Sequence, residues 1–238
     1  MSLFLSLAFL FSVGATGGWV LELIFRRFFS RANPERKWIN PGFCTGPYLP
    51  LYGSGLCLLY LIASLEKVFP SAHKILLFLF MAISMTAIEY IAGIWLLKHF
   101  NLRLWDYTKE WGNLNGLICP RFSLYWALLG AAYYFLVHPH VLGALYWLSC
   151  NLAFSFIIGL FFGVFLVDLA QSTQIVAKLR AYAVENDVII RYEAIKLQIQ
   201  QYEKAAKQRY HFFRPFHSDR PLREHLKEMH DYLETKKK

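Results

Sequence analysis

Charge is what this chain has least of. Asp, Glu, Lys and Arg make up 17% of its 238 residues, against 56% hydrophobic and 18% aromatic. So few charges among so many rings exclude an ordinary soluble domain of this length and point to a membrane protein. Cysteine is scarce too. Cys44, Cys57, Cys119 and Cys150 form no CxxC pair, and the topology derived below puts the first and third on a reducing side, which argues against disulfides. Cys119 beside Arg121 is a conceivable thiolate nucleophile, although a small apolar residue at a loop end explains it as well. The eight histidines have no metal-ligand spacing; His138 and His140 flank Pro139 in an expected turn. No metal or cofactor is implied. A phosphate-binding GxxxxGK followed by Ser or Thr is absent, as is any nucleic-acid-binding motif.

Glycine and proline number only 23, yet seven crowd into residues 40–55, NPGFCTGPYLPLYGSG. They stand at the mouth of an apolar run. Spanning the hydrocarbon of a bilayer takes about 20 mostly apolar residues, and five such runs emerge, at about 3–25, 48–65, 75–97, 122–137 and 141–167. The expected fold is an all-α integral membrane protein. Its domains are a transmembrane part over 1–170 and a helical tail over 171–238. The first run has no Lys or Arg before it and RRFFSR after it, so it reads as a retained helix rather than a signal peptide. Arg26, Arg27, Arg31, Arg36 and Lys37 follow helix one; Lys98, Arg103, Lys109 and Arg121 follow helix three; 14 more basic residues follow Asp168. The positive-inside rule then puts the N-terminus outside and the tail in the cytoplasm. The net charge of +9 reports this topology and contact with anionic membrane lipids.

Two acids lie within the spans. A carboxylate there costs a few kcal/mol on insertion scales and usually faces the bundle interior. Glu22 can pair with Arg26, its i+4 neighbour. Glu89 has no cation within a turn and lies deeper, roughly 12 Å from its helix end at 1.5 Å per residue. It is the sharper functional candidate, against a protonated, purely structural alternative. Asp168, at the end of the last run with Lys178 and Arg180 downstream, reads as solvated.

A shift of 73 lays Asn40 on Asn113, Pro47 on Pro120, and Leu51 and Tyr52 on Leu124 and Tyr125; a shift of 75 lays GWVLE at 18–22 on GIWLL at 93–97. Both helix pairs run out-to-in and back, so the expected two-helix repeat is parallel, and interrupted helices at corresponding places point to a binding site. Broken helix ends expose N–H groups that suit an anionic partner. The competing reading is that Pro41, Pro47 and Pro50 cap helix two while its glycines allow close helix approach. The segment 98–122 adds a second dense patch. Trp105, Tyr107 and Trp111 suit a headgroup boundary, whereas Asp106, Asn113 and Asn115 could close over a pocket between the repeats; the Asn115-Gly116 pair equally favours a plain turn.

GWVLE, NPGFCTGPYLPLYGSG, EYIAG and RLWDYTKEWGNLNGLICPRFSLYW together resemble the bacterial membrane family of CmpB-like permeases, type IV ABC-transporter components, over about residues 15–130. The resemblance implies candidate pocket residues Glu22, Asn40, Gly42, Gly46, Pro47, Tyr52, Gly53, Glu89, Gly93, Trp105, Asp106, Tyr107, Asn113, Gly116 and Trp126, to which the loop reading adds Asn115; no catalytic residue is assigned. Pro41, where a basic residue often follows the Asn, and Leu97, where a second acid often closes the EYxxG helix, depart from the pattern.

In the tail, Val188, Tyr192, Ile195, Ile199, Tyr202 and Ala206 form a short heptad seam, so a continuous helix is expected over about 170–210. It would serve as a coiled coil, pack on the protein's own face, or bind a partner. Arg214-Pro215 should break it, with a second helix from near Asp219. Three functions survive. A transport permease of unknown substrate would need a separate ATPase subunit or other cytoplasmic partner, held through 171–210. A membrane enzyme would act on a lipid or lipid-linked substrate with Glu89 or Glu22 as base. A scaffold would recruit a partner through its tail.

Overall fold

The computed structural model describes residues 2–30, 33, 35–67, 74–205, 216, 218 and 220–237, without the side chains of 233–237. Among the described residues the chain is helical almost throughout. The helices are α1 (Leu3–Phe28), α2 (Pro50–Ser64), α3 (Lys74–Phe100), α4 (Pro120–Ala132), α5 (His138–Cys150), α6 (Ser155–Glu185), α7 (Tyr192–Ala205) and α8 (Leu222–Lys237). Both α2 and α4 begin on proline, at a position whose N–H has no intrahelical partner in any case. Arg26 and Arg27 close α1 and Lys98 and His99 close α3, cations at the negative ends of helix dipoles.

Among the described residues four stretches are long and apolar enough to cross a membrane: Leu3–Phe28, Lys74–Phe100, Pro120–Cys150 and Leu152–Glu185; Pro50–Ser64 is a shorter apolar helix. This corrects the expected fourth and fifth boundaries. The HPH sequence is not a turn between spans, because a π-helical turn over Tyr133–Val137 joins α4 to α5. Pro139 has no N–H to donate, and the widened turn lets the helix pass its ring without breaking. Facing residues then sit five apart, and the Tyr133 hydroxyl lies 2.9 Å from His138 Nδ1. The chain breaks instead at Asn151, whose side-chain amide donates to the Trp147 carbonyl at 2.8 Å.

Two compact units make up the chain. The first comprises Met1–Gly18, Tyr48–Ile94 and Asp106–Leu166; the second comprises Trp19–Pro47, Trp95–Trp105 and Val167–Lys238. In the first, α3 turns Leu77, Met81, Met85 and Glu89 inward at every fourth position, one face of a helix. Leu10, Leu59, Ile62, Trp126, Tyr133 and Leu145 complete that core with its apolar members. Ile75, Phe156 and Leu166 stay exposed, as lipid-facing side chains do.

Close approach of α1 and α2 depends on glycine. A Cβ on Gly18 would lie 2.2 Å from Tyr52 Cβ, and one on Gly53 would lie 2.7 Å from the Phe11 oxygen. The same closeness lets the Leu49 N–H, at the start of α2, donate to the Ala15 oxygen at 2.9 Å. The unpaired end of α2 is thus partly satisfied by α1.

The second unit corrects the tail. Its helix is not continuous from 170 to 210: α6 ends at Glu185, and Asp187 takes a φ of 50° while the Val188 N–H caps the Ala183 oxygen at 3.0 Å. Asn-Asp followed by three β-branched residues favours that left-handed stop over more helix. Strands β1 (Leu102–Arg103) and β2 (Ile190–Arg191) then pair in parallel, Leu102 beside Ile190. The seam positions Tyr192, Ile195 and Ile199 are buried against Leu102, Val176, Leu179 and Leu226 of the same unit. Ala206, Arg214, Pro215 and Asp219 lie outside the described residues.

Gly18→Ala is expected to lower the detergent melting temperature, at a cost of about 1–3 kcal/mol for overpacking. Gly17→Ala, whose added methyl would meet nothing within 4 Å, should leave it unchanged.

Candidate functional site

Glu89 is the polar centre of the first unit. It is 3% exposed on α3. The Tyr107 hydroxyl donates to Oε1 at 3.1 Å and the Trp126 indole N–H donates to Oε2 at 2.9 Å. Tyr107 is held in place by its ring, stacked on Phe122 at 4.2 Å, and by its N–H, which donates to the Gly116 oxygen at 2.9 Å. Trp126 packs on the Tyr52 ring at 5.3 Å. Gly93, one turn beyond Glu89, is buried.

The polar residues of the 106–118 loop build that loop. Asp106 accepts from the Thr108 N–H and hydroxyl at 3.1 and 2.7 Å, an Asx turn. Asn113 accepts from the Gly116 N–H at 2.9 Å and donates to the Glu110 oxygen at 2.9 Å. Asn115 takes φ 56° and Gly116 takes 68°, the left-handed pair that Asn-Gly favours, and the Asn115 amide reaches the Tyr90 hydroxyl at 3.0 Å. Turn chemistry therefore accounts for Asp106, Asn113, Asn115 and Gly116, and its product is the position of Tyr107.

The second unit contains the other dense group. Asn40 closes the NPGFCTG loop with its whole side chain: Oδ1 accepts from Trp19 Nε1 at 2.9 Å and the Gly42 N–H at 3.0 Å, while Nδ2 donates to the Thr45 oxygen at 2.8 Å. The Thr45 and Gly46 N–H groups donate to Asp168 at 3.1 and 2.7 Å, and the Thr45 hydroxyl joins them at 2.5 Å. Asp168 is buried, not solvated as expected. An anion does sit at this Gly/Pro backbone, and it is the protein's own carboxylate. Pro47 is exposed and Trp105 half-buried.

Lys196 and Tyr192 of α7 complete the loop. Lys196 Nζ donates to the Asn40 and Gly42 oxygens at 3.0 and 2.7 Å, and Tyr192 Oη donates to the Phe43 oxygen at 3.1 Å. The expected Glu22–Arg26 pair forms at 2.9 Å, and Arg26 also reaches Glu193 of α7 at 2.7 Å. Burial first, and then the Arg26 charge, lower the Lys196 amine to about 7, against the pull of Glu193 and Cys44. Burial, reinforced by Asp168, pushes the Cys44 thiol up to about 12, so it stays protonated and inert. Sequence reasoning missed Lys196, Tyr192 and Glu193. Lys196 is the one cation flanked by seam positions 195 and 199, a place where a solvated lysine is unremarked.

In a variant keeping Cys44 as its only cysteine, maleimide should label the folded protein slowly. Adding Asp168→Ala frees the donors of Thr45, Gly46 and Ser172 and removes a buried carboxylate, at about 1–3 kcal/mol, and should speed labelling several-fold.

No curated protein and no solved structure matches the chain. Residues 9–173 match a family model described as "Putative ABC-transporter type IV", and that match takes in Glu89 with its two donors and Asn40 with Asp168, but stops short of α7. With more than half of its length matched, the chain belongs to the family so described, and four of its helices among the described residues are long and apolar enough to cross a membrane.

Proposed function

We propose that this chain is the membrane component of an ABC-type transport system and that Glu89 handles its substrate or coupling ion. The observation that carries the reading is a carboxylate 3% exposed on an apolar helix, approached by Tyr107 and Trp126. An acid within a span is costly, and those that persist mark substrate or ion pathways. Family membership supports the transport class. The 238 residues carry no phosphate-binding loop, so ATP hydrolysis falls to a separate subunit. In this reading the distribution of Lys and Arg makes the N-terminus external and the tail cytoplasmic, in a bacterial plasma membrane. The proline-started helices α2 and α4 are the corresponding members of a parallel repeat.

Purification in mild detergent tests the class: an ATPase should accompany the protein in fixed stoichiometry. Glu89→Gln keeps the shape, with its oxygen able to accept from the Trp126 N–H and its amide able to donate to the Tyr107 hydroxyl, but removes the charge, so it should cut complementation of a deletion at least about tenfold, a loss of about 1.4 kcal/mol. Full rescue by Glu89→Gln would end this reading of the site. Asp106→Asn preserves turn chemistry and should complement normally.

A further inference from the structure

The NPGFCTG loop is gripped from two sides within the second unit. Asp168 of α6 takes the N–H groups of Thr45 and Gly46. Two side chains of α7, one turn apart, take carbonyls: Lys196 those of Asn40 and Gly42, Tyr192 that of Phe43. Three of four consecutive carbonyls of the loop thus depend on a single helix. Carbonyls held by one helix lose their donors together when that helix lifts, and the loop then opens more easily.

We propose that α7 is a strap over the 40–46 loop and that protonation of Lys196 loosens it, so that the loop opens more readily in mild acid than in mild alkali. This goes beyond the transport reading and stands or falls without it.

A neutral amine has two N–H bonds, matching the two carbonyls it meets at 3.0 and 2.7 Å. One more proton puts a full charge on a residue that is 2% exposed. Ionisable groups of α1, of α7 and of the loop act on it, and Asp168 of α6 acts on the loop's Cys44. Arg26 of α1 repels an ammonium, and its guanidinium already engages Glu22 and Glu193. Glu193 on α7 itself attracts one. The loop contributes the protonated Cys44 thiol, and α6 contributes Asp168, engaged by Thr45, Gly46 and Ser172. The Tyr192 ring lies 4.4 Å from Nζ. Burial outweighs the attractions, and the held amine binds a proton only below about 7, whereas a released lysine keeps one up to its ordinary 10.5. The released state therefore carries more protons between these values. Closure strengthens as pH rises through that window and is weakest below it.

Hydrogen exchange of the full chain in lipid nanodiscs, corrected for intrinsic rates, tests the strap. Amides of 40–46 should be about tenfold better protected at about pH 8.5 than at about pH 6.5. Lys196→Met should abolish the difference, and Lys196→Arg, charged throughout, should be poorly protected at both. Equal protection of the unaltered chain at the two pH values overturns the proposal, and so does a difference that survives in Lys196→Met. Should neither variant fold, lysine Nζ resonances of the unaltered chain decide: a buried amine neutral at about pH 8.5 supports the strap, and an ammonium persisting there overturns it.

Discussion

Backbone outside a helix has few ways to satisfy its N–H and C=O groups in a chain this apolar, and the architecture follows from how they are satisfied. Lipid offers no hydrogen bonds, so each irregular stretch needs protein partners. The 40–47 segment finds them in Asp168, Lys196 and Tyr192, with Asn40 closing it from within. The 106–118 segment finds them in its own side chains, Asp106 and Asn113, and in left-handed Asn115 and Gly116. The start of α2 borrows the Ala15 carbonyl of α1, which glycines at 18 and 53 bring within reach.

The two segments differ in what their order produces. In the first unit it fixes one hydroxyl: the loop aims Tyr107 at Glu89, and Trp126 meets the other carboxylate oxygen. In the second it produces a closed loop around two buried ionisable groups, Asp168 and Lys196, each of which binds backbone rather than the other. The Gly/Pro backbone holds an internal carboxylate, that of Asp168, on the N–H groups of Thr45 and Gly46.

Much of the fold was legible. Apolar run length gave the spans near 3–25 and 75–97, and the Glu22–Arg26 pair followed from i,i+4 spacing. HPH misled because proline usually ends a helix, whereas here a π turn carries the chain past it to Cys150. The tail misled because a continuous helix was expected from about 170 into the seam that starts at Val188, across Asn186-Asp187, where a left-handed stop ends α6 instead. The loop asparagines were legible only as alternatives, since turn chemistry and pocket chemistry use the same residue types.

By itself the sequence determined the solvent, the all-α class and the proline entrance to α2, because hydrophobic run length and proline geometry are local properties. Only the tertiary structure decided that Asp168 is buried, that Lys196 sits on two carbonyls, and that Glu89 is held by Tyr107 and Trp126. Those contacts join residues 18 to 156 positions apart. No spacing rule reaches so far, and the environment of a buried charge is set by whatever the fold brings against it.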